Sequence, residues 1–332
     1  MMSIRALLLG LLLAACQPPP GNSVQPSAPP AIDEPRELSA VSFNIQFLGL
    51  YARRDHEALA EFLAPHDLVF VQELVAPPYE GVYPDGAPFR PSERAQAFFD
   101  AMAGHGFSYV LSPEDTGRGT RLQLNSSATE WFVAFYRADR IEPAQDLFTG
   151  YISAPRAAHR QFDRVPFAFG FRADSEDLVF ISVHLRPGTG PVNRSRRAGE
   201  FTAIFEWIDA QDGPERDYVI LGDMNIESCA ELAAVLRLAE GYISLNDDCR
   251  ATNTNVNGPR PYDHVMFREA YTREEIPGEL DVIDLVTVMR PFWNQADGAY
   301  PGDPYIHNRF RQYYSDHHPI RFGILVDGVD DD

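Results

Sequence analysis

Three features of the chain predict an α/β or α+β layered domain. Short runs rich in Val, Ile and Phe alternate with stretches whose apolar residues recur at i, i+3 and i+4. The alternation continues through nearly the whole length, as layered folds of sheets and helices require. No Gly/Ser linker and no fixed-period repeat divides the chain after a Pro-rich segment near its start. At 332 residues, 45% hydrophobic and 23% charged, the composition is that of a folded globular chain. It excludes disorder throughout, collagen and a coiled-coil rod. No apolar run reaches the ~18 residues that span a bilayer, which excludes a polytopic membrane protein.

Strands are expected at 39–47, 68–72, 131–136, 167–172, 178–184, 218–221, 265–267 and 320–326, each short and rich in β-branched or aromatic residues. Helices are expected at 54–62, 92–104, 196–211 and 230–239, where the apolar spacing is helical. Two segments fit neither period: 76–90 is rich in Pro, Gly and Tyr, and 298–314 mixes tyrosines with arginines. Loops this long inside a compact domain are generally functional or mobile.

Residues 1–15 read as an export signal, with Arg5 the only charge before Cys16 and an apolar stretch at 6–15. The ending Leu13-Ala14-Ala15-Cys16 resembles the lipobox of bacterial lipoproteins. That resemblance implies cleavage before Cys16, lipidation of Cys16 and, from Gln17, an outer-membrane lipoprotein on the periplasmic or cell-surface side. Residues 16–38, Pro-rich and without apolar periodicity, read as a partly extended tether. Residues 39–326 then form one domain, and 327–332 an acidic, solvated tail. With Cys16 lipidated, Cys229 and Cys249 are an even pair in an exported chain, so a disulfide is expected.

The net charge is −20, and all 28 basic residues are arginines. Such a surface repels polyanions at long range. A polyanionic substrate must be held locally, by arginines or a divalent cation. The chemistry-bearing residues cluster where the apolar runs end: Asn44, Glu73, His184, Asp223 and Asn225 follow such runs, and Asp263, His264, Asp316, His317 and His318 precede them. Strand ends of layered folds are where a rigid sheet can hold reactive groups while loops admit substrate.

In chain order the words are Ser42-Phe43-Asn44-Ile45, Val71-Gln72-Glu73, Glu130 with Arg137, Arg164-Val165-Pro166, Val183-His184-Leu185, Gly222-Asp223-Met224-Asn225, Tyr262-Asp263-His264 and Ser315-Asp316-His317-His318-Pro319. The ordered set resembles the endonuclease/exonuclease/phosphatase superfamily, and within it the pancreatic deoxyribonuclease-like branch. The resemblance implies a four-layer sandwich, two mixed β-sheets packed face to face with helices outside, and divalent-metal-dependent hydrolysis of phosphoric esters. It pairs His184 with Glu130 and His317 with Asp263 as general acid and base, a carboxylate fixing each imidazole's tautomer. His317 is expected to serve the water and His184 the leaving oxygen, and the sequence allows the reverse. A histidine at 184 separates the chain from the apurinic-site nucleases, which lack one in this strand.

Glu73, with Asn44 and Asp316, suits Mg²⁺, with Mn²⁺ or Ca²⁺ as alternatives, because hard cations take carboxylate and amide oxygens. Asp223 and Asn225 would orient the water or bind a second metal. Arg164 would hold a phosphate, and Arg309 and Arg311 would grip substrate among the tyrosines of 298–314. Arg186, Arg194, Arg196 and Arg197 form a second basic cluster after His184. His264 and His318 are expected to be structural, and His56, His66, His105, His159 and His307 to lie on the surface. The leading reading is a monomeric nuclease of little sequence preference acting on extracellular or periplasmic nucleic acid. Alternatives are a sphingomyelinase-like or small-molecule phosphodiesterase or phosphatase, and a non-catalytic binding protein on the same scaffold.

Overall fold

A computed structural model describes residues 35–116, 130–155 and 161–328. The expected export signal, Cys16, His159, nearly all of the expected tether and most of the acidic tail lie outside the described residues. The first strand, Arg36–Leu48, begins inside the 16–38 segment, with Arg36 paired to Val326.

One mixed sheet has the order Asp281–Val282, Ile320–Val326, Arg36–Leu48, Leu68–Leu74, Trp131–Tyr136 and Ser108–Leu111. The other runs Tyr242–Ser244, Asp263–Arg268, Tyr218–Asp223, Glu176–His184, Phe167–Ala173 and Glu142–Pro143, with Gly150–Tyr151 also on the Phe167–Ala173 strand. Each sheet has one parallel pair at its centre: Arg36–Leu48 with Leu68–Leu74, and Glu176–His184 with Tyr218–Asp223. Antiparallel strands flank both pairs.

Alternation along the central strands explains the layering. Leu38, Ala40, Leu68 and Phe70 face the other sheet and meet Phe169, Phe171, Phe180, Val219 and Leu221, with the Phe70 ring 5.0 Å from that of Phe180. Val41, Phe43 and Ile45 point the other way, onto the helices His56–Leu63 and Glu93–Gly104. On the far side Val179, Ile181, Val183 and Ile220 pack on the helices Gly190–Asp209 and Cys229–Val235. Strands buried on both faces read as continuous apolar runs, which is why the sequence showed them so clearly. Asp55, Ser92 and Ser228 cap three of these helices by accepting the N–H groups of Ala58, Ala95 and Glu231.

Several expectations change. The helix expected at 196–211 runs Gly190–Asp209; its first turns are polar and carry no apolar stripe, which hid them in the sequence. The 76–90 segment holds a short hairpin, Gly81–Val82 with Pro88–Phe89, whose Tyr83 and Phe89 rings lie 6.0 and 4.9 Å from that of Trp131. It belongs to the packed layer. In 298–314 the residues Tyr300, Phe310, Tyr313 and Tyr314 are buried around Trp293 and the chain closes in a helix, His307–Tyr313. Most of these aromatics fill the core and are not free to stack on bases. His66 is buried and shares a hydrogen bond with Ser39.

The basic cluster after His184 is largely structural. Arg197, fully buried, donates to the carbonyls of Arg186 and Gly188 and pairs with Glu231 at 2.7 Å. Arg186 pairs with Asp163 at 3.1 Å, and Arg194 lies 3.9 Å from Glu227. Beside them buried Glu200 accepts the N–H groups of Arg186 and Asp163 and so fixes the loop after His184. A disulfide joins Cys229 to Cys249, with Cα atoms 5.6 Å apart.

Two predictions follow from these anchors. Burial pushes the Glu200 carboxyl up to about 7 from 4.5, so the folded protein keeps a proton there that the unfolded chain releases near pH 4.5. Stability therefore falls as pH rises between those values, by up to ~3 kcal/mol. Urea melts of Glu200→Gln should lose that slope, and an unchanged slope would remove the assignment. Replacing Cys229 and Cys249 by Ser, which opens a loop of 20 residues, should cost about 3 kcal/mol in the same melts.

Candidate active site

The two parallel strand pairs end at the same rim of the sandwich, and their last residues build the site. Asn44 and Glu73 come from one sheet, His184 and Asp223 from the other, where His184 and Asp223 are register partners. Asp263 begins the next strand and stands opposite Asp223. Asp316 and His317 lie just before the strand Ile320–Val326.

Local backbone geometry aims these groups. The ladder of the first sheet slips between Asn44 and Leu48, and Gln46 and Phe47 take φ of 22° and 53°. Such left-handed conformations are costly for residues other than glycine and persist where neighbours hold them. The slip turns the Gln46 N–H onto Asn44 Oδ1 at 2.9 Å and the Phe47 N–H onto Glu73 Oε2 at 3.0 Å. Glu73 itself has φ 61° and donates its N–H to Glu130 Oε2 at 2.7 Å. Across the site Gly222 has φ 130°, and a Cβ there would lie 2.3 Å from the Val183 carbonyl. Only glycine lets the strand carrying Asp223 approach the strand carrying His184 this closely.

Two histidine–carboxylate pairs result. His184 Nδ1 is 2.8 Å from Glu130 Oε1, and His317 Nδ1 is 2.8 Å from Asp263 Oδ2. The other nitrogens face one atom: His184 Nε2 is 3.4 Å and His317 Nε2 3.6 Å from Asp223 Oδ2. Asn44 Nδ2 donates to the same oxygen at 3.0 Å and to Glu73 Oε1 at 3.0 Å. Burial and Arg164 oppose the charged form of His184, yet Glu130 and Asp223 hold its pKa above the usual histidine value. Burial likewise opposes His317, and Asp263 and Asp223 raise it well above. Burial alone would favour a protonated Glu130, but His184 and Arg164 hold it below the usual carboxylate range.

Several residues sit differently from the sequence expectation. Arg164 is buried behind this pair, its Nε 2.5 Å from Glu130 Oε1 and its Nη1 3.5 Å from the His184 carbonyl. Its guanidinium is turned to the pair's carboxylate and not to the open rim. The Asn44 oxygen is taken by the Gln46 N–H, so Asn44 presents its amino group to the carboxylates. Asn225, with φ 52°, donates its side chain to the Leu185 carbonyl and its N–H to Asp223 Oδ1. Arg309 lies over the Trp293 ring and donates to the Asp297 carbonyl, away from the histidines. His264 bridges Ser244 and Pro261, and His318 accepts the Leu285 N–H, both structural.

Sequence reasoning missed a supporting ring. Thr252 donates to Asp263 at 2.6 Å, Ser315 donates to the Asn44 carbonyl at 2.6 Å, and Gln72 donates across the sheets to Ser182 at 3.1 Å. Gln46 donates to Asp316, and Arg54 donates to the Gln46 carbonyl. These are polar side chains in ordinary surroundings of sequence; only their contacts with the site carboxylates or with the residues that carry them mark them out.

The donor set fits a hard divalent cation. Asp316 Oδ1 is buried with no hydrogen-bond partner. Burial, Asp316 and Glu130 together push the Glu73 carboxyl up, against the pull of His184, so negative charge here is under-compensated. Glu73, His184 and Asp223 place one ligand atom each within 4.8 Å of one another, as do Asp223, Asp263 and His317. Oxygen-rich clusters of this kind suit Mg²⁺ or its relatives.

The Endonuclease/Exonuclease/phosphatase family matches this chain over residues 41–317. A protein described as a deoxyribonuclease from Thioalkalivibrio sp. (strain K90mix) is 24% identical over 294 residues, covering 86% of this chain and 70% of its own. Among solved structures, an endonuclease/exonuclease/phosphatase family protein from Bacteroides thetaiotaomicron superposes with a TM-score of 0.56 at 14% identity, covering 89% of this chain and 99% of that one. The human Nocturnin catalytic domain does so with a TM-score of 0.55 at 14% identity, covering 87% and 94%. Both share the two packed mixed sheets flanked by helices. The chain belongs to the Endonuclease/Exonuclease/phosphatase family and is a divalent-metal-dependent phosphoric ester hydrolase.

Proposed function

We propose that the protein is a nuclease of little sequence preference that hydrolyses extracellular or periplasmic nucleic acid while tethered to the outer membrane through lipidated Cys16. One observation carries the phosphodiester chemistry: two histidines, each backed by a carboxylate, turn their other nitrogens to the same atom, Asp223 Oδ2, at 3.4 and 3.6 Å. A phosphodiester needs a proton taken from water on one side and a proton delivered to the leaving oxygen on the other. The deoxyribonuclease relative supports nucleic acid as the substrate.

In this reading Asp263 orients His317, which would be neutral and accept the proton of the attacking water once a bound cation offsets the Asp223 charge that raises its pKa. Glu130 orients His184 and keeps it charged, so that it can protonate the leaving oxygen. Arg164 steadies Glu130 from behind as a positioning residue. Asn44 holds Glu73 and Asp223 in place, and Asn225 fixes the backbone beside Asp223. Glu73, Asp316 and Asp223 would hold the cation, Mg²⁺ by preference. When bound it supplies positive charge to the phosphate oxygens. Every group of both pairs is present and in contact, which argues against a non-catalytic scaffold.

Three measurements check these assignments. The full chain should nick supercoiled plasmid with Mg²⁺ and stop with EDTA, and His184→Ala and His317→Ala should each lose at least ~100-fold. Cleavage of sphingomyelin alone in a parallel assay would move the substrate from nucleic acid to lipid. On bis(4-nitrophenyl) phosphate, whose leaving group needs no proton, His184→Ala should recover activity and His317→Ala should not; the opposite pattern exchanges their roles.

Glu130→Gln removes a charge that raises the His184 pKa, so the alkaline limb of kcat should move to lower pH. A limb that stays in place would free Glu130 from this role. In a bacterial host, labelled palmitate should enter the full chain and not Cys16→Ala, and the variant should leave the membrane fraction.

A further inference from the structure

A cavity of about 370 Å³ lies at the end of the second sheet that is turned away from the catalytic rim. The end of the helix Gly190–Asp209 walls it, with Tyr218, Tyr242 and Arg268 from three strands and Tyr271 from the helix Glu269–Thr272. Tyr218 opens the strand that ends at Asp223, and Arg268 closes the strand that Asp263 opens. The cavity therefore stands about 17 Å along the same two strands from the carboxylates of the rim.

Its wall joins aromatic surface to hydrogen-bonding groups. Tyr271 is 40% exposed. From Tyr218 a row of rings leads outward: half-buried Trp207 lies 6.0 Å away, and Phe148, 41% exposed, lies 5.1 Å from Trp207. Asp209 contributes a half-exposed carboxylate, and Gln211 an amide whose nitrogen donates to the Trp207 carbonyl at 2.6 Å. Tyr242 is 5% exposed, and among the described residues its hydroxyl has no hydrogen-bond partner. Phe205 packs on the Tyr242 ring at 4.2 Å and the Arg268 guanidinium lies over it at 5.1 Å. What Tyr242 has left to offer is its hydroxyl, a group that normally finds a partner when buried.

The charges of the wall are already held. Arg268 pairs with Asp209, and Arg216 donates to the carbonyls of Gly213 and Glu215. An anion gains little there, least of all on a chain of net charge −20. An apolar ligand would desolvate the Arg268–Asp209 pair and leave the Tyr242 hydroxyl unanswered. A neutral ligand rich in hydroxyls answers every group: it donates to Asp209, accepts from Arg268, bonds the Tyr242 hydroxyl and lays its C–H face on the exposed rings. The volume falls within the range of small-ligand sites, about 300–1,000 Å³.

We propose that this cavity is a saccharide-binding site, with the row from Tyr218 to Phe148 extending the contact to a neighbouring sugar unit. Occupied, it holds the protein on a glycan while the catalytic rim, at the other end of the strands, stays open to phosphoric esters. The site does not depend on which ester is cut.

The test is saturation-transfer NMR on the full chain with glucose, galactose, mannose, N-acetylglucosamine, maltose and cellobiose. At least one should bind, and Asp209→Ala, Tyr271→Ala and Tyr242→Phe should each weaken it by about tenfold. Because the Tyr242 hydroxyl has no partner to lose, free Tyr242→Phe should melt no lower than the wild type. Plasmid nicking should be the same in all three variants, and a saturating sugar should leave it unchanged. Binding by none of these sugars overturns the proposal, as does binding that the three variants leave intact. A sugar that inhibits nicking by competing with plasmid would place the binding at the rim and overturn it too. If the protein nicks nothing, the catalytic reading fails, and the saccharide site is still decided by the NMR titrations of the variants.

Discussion

The structure depends on bringing several carboxylates together in a buried place without driving them apart. Asp223, Glu73, Glu130, Asp263 and Asp316 all approach one rim, and the chain must offset their mutual repulsion locally. It does so unevenly. Glu130 is paired with Arg164 and His184, and Asp263 is paired with His317 and accepts a hydrogen bond from Thr252. Glu73 accepts dipoles, from Asn44 and the Phe47 N–H, and Asp223 is met by Asn44 and by two histidines already paired to other carboxylates. Charge is balanced where protons must be held and left open where a cation is needed.

The same arrangement explains the irregular backbone. Regular strands would leave the N–H groups of Gln46 and Phe47 in a ladder, away from the side chains they now support. Among the described residues six non-glycine residues have positive φ, and Gln46, Phe47, Glu73 and Asn225 of these lie at this rim. Strain concentrates where side chains must be aimed, and the flat Phe70–Phe180 core below it is conventional. Stability comes from the lower part of the sandwich and is spent at its upper edge.

Much of this was legible in the sequence. Strands buried on both faces announce themselves as apolar runs, and the polar residue that ends each run is conspicuous. Asn44, Glu73, His184, Asp223, Asp263 and His317 could therefore be singled out, and they do meet. What could not be read was direction. Arg164 and Arg309 are arginines near motifs, but a guanidinium turned toward Glu130 or laid on Trp293 looks the same in sequence as one facing solvent. Asn44 offers an oxygen or an amino group depending on a slip of its own strand. Arg54 lay hidden at the start of a helix, and the tyrosines of 298–314 carried no period to show that most of them were inward. Short strands such as Ser108–Leu111 and Tyr242–Ser244 were missed because so few residues cannot establish alternation.

The division of the site between two sheets has a consequence for when the chemistry can begin. Asn44 and Glu73 stand on one sheet, His184 and Asp223 on the other, and the hydrogen bond from Asn44 to Asp223 crosses between them. Either half alone lacks an acid–base partner and the full set of oxygen donors. A nascent chain is thus chemically silent, and hydrolytic power arises only once the two sheets have docked. For a protein that cuts phosphoric esters, assembly itself serves as the safety catch.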